Sequence, residues 1–97
     1  MADRILLKLD LQGIELLALS GATRLLSVVE VMFVEVSFFS QAYEPPICRL
    51  IAFLDGHGFD VFDVASITGR LRDHRARQGD FVFVRRGSPL RADTSWS

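Results

Sequence analysis

The hydrophobic pattern of the chain changes period several times, and each change marks an element. Apolar residues are nearly continuous over 5–11, broken only by Lys8 and Asp10. That is the signature of a strand buried on both faces. From Ile14 the spacing becomes helical: Ile14, Leu17, Ala18, Ala22 and Leu25 fall on one stripe, Glu15 sits in the first turn, and Gly21 marks a kink or a C-cap. A second doubly covered strand is expected over 28–37, around the run Val31-Met32-Phe33-Val34. A loop over 38–44 leads to Pro45-Pro46, which opens a helix. Ile47, Leu50, Ile51 and Leu54 form its buried stripe, and Gly56-His57-Gly58 ends it.

The third strand is expected over 59–64 and a fourth over 81–84, Phe81-Val82-Phe83-Val84. The arginine-rich stretch 65–79 between them shows no clear period and reads as a long connection. The expected order is β-α-β-α-β-β. Two β-helix-β units imply parallel strands, while two strands without a helix between them pair with the last strand antiparallel. An α/β domain over 1–86 followed by a polar tail over 87–97 is the expected organisation.

Ninety-seven residues, 49% of them apolar, allow one small core. The net charge of −1 gives no global attraction to nucleic acid or to a membrane, and no stretch reaches the ~20 apolar residues of a bilayer span. A soluble, cytoplasmic protein is expected. The charge is unevenly placed: residues 1–63 carry four basic and nine acidic side chains, and residues 64–97 carry seven basic and three acidic. The single cysteine, Cys48, excludes an internal disulfide and reads as a buried structural thiol.

Asp10 draws attention first, because a carboxylate on an apolar strand is costly to bury unless it is bonded. It either caps the following helix through backbone amides or serves a ligand at the strand's C-terminal end. Glu35, flanked by Val34 and Val36, occupies the matching end of the second strand. Asp10 and Glu35 could line one crevice, or Glu35 could pair with Lys8 or an arginine. Glu15 reads as a helix-start charge, and Lys8 as the ion-pair partner of Asp10. His57 and His74 read as exposed loop residues, and no histidine spacing points to a metal site. Arg70, Arg72, His74, Arg75 and Arg77 either form a solvated loop or contact an acidic substrate. Without interleaved aromatics they make a poor single-strand nucleic-acid platform. Trp96 either docks on the body or hangs free.

The stretch Lys8-x-Asp10-x-Gln12-Gly13-x-Glu15, followed by Leu19-Ser20-Gly21-Ala22, resembles the fourth-strand motif of the FkbM-type S-adenosylmethionine-dependent methyltransferases. Val34-Glu35-Val36-Ser37-Phe38, Tyr43-Glu44, Phe53-Leu54-x-x-x-Gly58-Phe59 and the segment from Gln78 to Arg85 resemble later segments of that family in order and spacing. The resemblance implies the C-terminal portion of a Rossmann-like class I methyltransferase sheet, whose final strands form an antiparallel excursion at one edge. It implies methyl transfer from S-adenosylmethionine to a small-molecule or glycan hydroxyl. Asp10 would lie at the reacting centre, against both the cofactor's methyl-bearing end and the acceptor oxygen, with Gln12 and Gly13 also around the cofactor and Glu35 on the acceptor side. The glycine-rich turn and ribose-binding acid that such enzymes use for the cofactor do not occur in these residues, so activity of the isolated chain is not expected. The 5–11 strand would then be an unpaired apolar edge that associates with a second copy or with a complementing N-terminal half. The alternative is a noncatalytic α/β interaction module that associates through its exposed strand edge.

Overall fold

The computed structural model describes residues 5–10, 23–39 and 46–96. These form a mixed α/β structure with an open four-stranded sheet and two helices. In chain order the elements are β1 (Ile5–Leu9), α1 (Thr23–Val28), β2 (Val29–Ser37), α2 (Ile47–Gly56), β3 (Phe59–Gly69) and β4 (Ala76–Arg85), with a 3-10 turn at Pro89–Arg91. The sheet order is β1-β2-β4-β3. β1 pairs parallel with β2, and β4 runs antiparallel to both of its neighbours. The last strand is therefore inserted between β2 and β3, and the antiparallel pairing expected from the missing helix is present.

One sheet face carries the core. Met32, Val34 and Val36 alternate along β2 and meet Phe81 and Phe83 of β4, with Leu7 and Leu9 of β1 packed beside them. Leu26 of α1 and Leu50 and Leu54 of α2 close this face together with Phe59. The helical stripe of α2 is as its spacing predicts, because Leu50 and Leu54 are one turn apart and Ile47 and Ile51 flank them. Its C-terminal turn is closed by backbone bonds from His57 to Leu54 and from Gly58 to Asp55, with Gly58 at φ +88. A glycine relieves the cost that a side chain meets there.

The double coverage expected for β1 is not found. Ile5, Leu6, Lys8 and Asp10 are exposed, and only Leu7 and Leu9 are half-buried. β1 is an edge strand, and the sheet face opposite the core carries no helix among the described residues. A continuous apolar run thus reported a strand but not its surroundings.

The expected long connection also shrinks. β3 continues to Gly69 and β4 begins at Ala76, so only residues 70–75 turn the chain. The Arg70 N–H donates to the Arg75 carbonyl, the His74 N–H donates to the Arg70 carbonyl, and the Arg70 guanidinium holds Asp73 by two bonds of 2.6 Å. Residues 65–69 and 76–80 lack apolar alternation, but each segment supplies the other's backbone partners. Cross-strand pairing extends strands where the pattern is silent.

Beyond β4 the chain stays attached. Arg86 bridges Asp55 and Asp60 at 2.5 and 2.9 Å, Arg91 reaches Asp60 at 2.7 Å, and buried Ser88 donates to Glu30 at 2.7 Å. Trp96 is fully exposed. No helix among the described residues is long and apolar enough to cross a membrane.

Candidate functional site

The open sheet face holds a cleft of ≈ 500 Å³ lined by Lys8, Leu9, Asp10, Phe33, Glu35, Ala65, Ser66 and Asp80. Strand register explains why these residues meet. Leu9 is level with Val34, so Asp10 follows level with Glu35; Glu35 is opposite Asp80, and Asp80 is opposite Ser66. One row of polar side chains therefore crosses all four strands. At a strand spacing of roughly 4.8 Å, its three carboxylates stand on adjacent strands. Lys8 and Phe33 form the next row toward the strand N-termini.

Neighbouring side chains bond Glu35 and Asp80. Gln78 Nε2 donates to Glu35 Oε1 at 3.1 Å, and Ser66 Oγ donates to Asp80 Oδ2 at 2.8 Å. These bonds orient the carboxylates while leaving each oxygen pair room to accept more. A smaller recess of ≈ 50 Å³, lined by Glu35, Ser66, Thr68, Gln78, Gly79 and Asp80, continues the row toward the hairpin tip. The site can accept hydrogen bonds from hydroxyl or amine groups and attracts cationic or polyhydroxylated molecules over anions.

Asp10 and Glu35, singled out on separate strands by the sequence, line the same cleft. Glu35 is bonded by Gln78 rather than by a lysine or an arginine. Gln12, Gly13 and Glu15 lie outside the described residues. Asp80 and Ser66 were not recognised from the sequence. The alternation Asp80, Val82, Val84 places the aspartate on one face of its strand, but only the register puts that face beside Glu35.

The other candidates are placed away from the cleft. His57 is half-buried, not exposed as expected: its Nδ1–H donates to the Phe53 carbonyl at 2.9 Å and its ring lies 4.6 Å from that of Phe53. It closes a helix. His74 adopts φ 62 in the hairpin turn. Arg70 and Arg75 lie over the Phe39 ring at 5.6 and 4.4 Å, fixing the turn to the end of β2. Arg72 and Arg77 are exposed near the same tip. Cys48 is exposed on α2 rather than buried, because it falls off the Leu50 and Leu54 stripe.

Among the described residues no group of three or more His, Cys, Asp and Glu side chains is arranged to hold a metal ion. No family model, curated protein or solved structure matches the chain.

Proposed function

We propose that the chain supplies the acceptor side of an FkbM-type S-adenosylmethionine-dependent methyltransferase, with Asp10 orienting the acceptor hydroxyl and receiving its proton. The observation that carries this reading is the row Asp10, Glu35, Asp80 and Ser66, beginning at the C-terminal ends of the parallel strands β1 and β2. Ligands of open α/β sheets sit at that edge. The strand order adds support, since the last strand, β4, lying antiparallel between β2 and the edge strand β3, makes an edge excursion of the kind the resemblance implies.

The division of labour follows from the bonds. Asp10, just past the end of β1, lines the cleft and orients the acceptor hydroxyl. Glu35, oriented by Gln78, accepts a second hydrogen bond from the acceptor, and Asp80 extends the row for a further hydroxyl. A carboxylate row of this kind suits a small-molecule or glycan hydroxyl and disfavours phosphate. The cleft does not by itself fit S-adenosylmethionine: the sequence holds no glycine-rich turn after a strand and no ribose-binding acid, and the lining carboxylates suit hydroxyl donors. Cofactor binding therefore requires residues from a complementing half, for which the exposed edge of β1 offers a parallel neighbour position.

The test is transfer of a labelled methyl group from S-adenosylmethionine to polyol acceptors, with the chain mixed with the N-terminal half of an FkbM-type enzyme. Transfer is expected in the mixture and falls by about 10²-fold or more in Asp10→Asn. An Asp10→Asn mixture with undiminished transfer removes Asp10 from the mechanism. The noncatalytic interaction module is favoured by one observation, the exposure of β3. It predicts association that Asp10→Asn leaves intact.

A further inference from the structure

The longest strand of the sheet is also its least covered. β3 forms one sheet edge, and every residue over 61–68 is exposed, among them Val61, Phe62 at 50%, Val64 and Ile67 at 57%. Edges are ordinarily guarded by lysine, proline or a covering element. Over 59–69 there is no Lys, Arg or Pro. Bulges after Val61 and Val64 add twist on the β4 side, yet the strand remains extended through both. Its charge is polarised along its length, with Asp60 and Asp63 at the start and Arg70 and Arg72 just past the end.

We propose that β3 pairs antiparallel with β3 of a second copy of this chain, about a two-fold axis near Ala65 and Ser66. The pairing joins the two sheets into one. A two-fold across a sheet edge brings the start of each strand to the end of the other. The acidic end then meets the basic end on both sides of the axis. Parallel stacking sets Asp63 against Asp63 instead. In this register Val64 faces the partner's Ile67 and Ile67 faces the partner's Val64. Phe62 covers the partner's Gly69, an arrangement that shields a strand glycine with an aromatic ring. Asp63 faces the partner's Thr68, with the partner's Arg70 on the diagonal. Asp60 is already held by Arg86 and Arg91, Asp63 Oδ1 accepts from the Val64 N–H at 2.7 Å, and Arg70 is held by Asp73, so the two ends attract through their net charges rather than through one exchanged pair. The other edge, β1, has five residues against eleven and no such polarity.

The pairing has a consequence for the cleft. Ala65 and Ser66 line it, so the second copy flanks its open side and sets two carboxylate rows next to each other. This inference does not depend on the methyl-transfer reading.

Sedimentation equilibrium of the whole chain is the test. A dimer is expected at about 100 µM, where a complex with Kd of ~10 µM is mostly associated. Val64→Lys with Ile67→Lys, and separately Val64→Glu with Ile67→Glu, set like charges opposite each other and weaken self-association at least tenfold. Mixing these two variants restores a dimer, because the lysines of one face the glutamates of the other. Leu6→Lys on β1 leaves the dimer unchanged. Hydrogen exchange on the unmodified chain gives a second reading, with amides over 61–68 gaining protection as concentration rises. A monomer at 100 µM overturns the proposal. So does a dimer that Leu6→Lys dissociates, a mixture that fails to pair while both variants remain folded, or β3 amides whose exchange is independent of concentration.

Discussion

Arg85, the last residue of β4, ties three elements together, and its removal allows a quantitative test of the fold. Its Nε donates to the Val29 carbonyl at 2.8 Å and its Nη2 donates to the Leu26 carbonyl, while the guanidinium lies 4.8 Å from the centre of the Phe59 ring. Leu26 lies in the last turn of α1, whose final carbonyls have no partner within the helix. Arg85 thus caps that helix from a strand more than fifty residues away. Each hydrogen bond to a charged group contributes ~1.5–3 kcal/mol, and water can replace part of it at a half-exposed helix end, so the lower value applies. With ~0.5 kcal/mol from the ring contact, Arg85→Met is expected to cost about 3.5 kcal/mol. Methionine keeps the aliphatic packing, which isolates the lost bonds. Arg85→Lys retains one bond and is expected to cost about half as much. Urea unfolding followed by far-UV circular dichroism reads both, as shifts in midpoint at constant slope. In thermal melts the loss for Met corresponds to roughly 14–28 °C in a chain of this length. An Arg85→Met protein within about 0.5 kcal/mol of the parent refutes the capping role. Equal losses for Met and Lys refute the two-bond geometry.

Two further expectations concern the charged seam and the hairpin. The hydrogen bond from Arg86, with the charges of Arg86 and Arg91, holds the Asp60 carboxyl below its ordinary value of 3.8, against a smaller opposing effect of burial. Because the folded value is depressed, this stabilisation is complete above pH 3.8 and is lost as pH falls through the lower folded value. Asp60→Asn should therefore lower the melting temperature at pH 7 by clearly more than at pH 2.5 to 3, and an equal deficit at both pH values contradicts the linkage. Gly69 lies against the hairpin turn, where a Cβ would stand 2.8 Å from the His74 carbonyl oxygen. Gly69→Ala should destabilise by ~1–3 kcal/mol, whereas Gly56→Ala, with nothing within 4 Å, should be neutral or mildly stabilising. Parallel thermal melts that rank the two variants the other way would disprove the close approach.

Local periodicity settled what it could reach in this protein. The stripe Ile47, Leu50, Ile51 and Leu54 defined α2 and its buried face, because a helix makes its bonds within itself and its side-chain geometry repeats. The runs around Val34 and Phe83 identified strands, and the single acids within apolar runs, Asp10 and Glu35, named two of the residues that line the cleft. Tertiary structure decided the rest. A strand makes its bonds with another strand, so its ends, its partner and its coverage are fixed by what lies beside it. That is why β3 and β4 extend beyond their apolar patterns, why β1 is exposed despite reading as buried, and why Asp80 and Ser66 join Asp10 and Glu35 only through register. It is also why Arg85 to Arg91, polar to the eye, prove to be fastened across the fold by carbonyls and carboxylates distant in sequence.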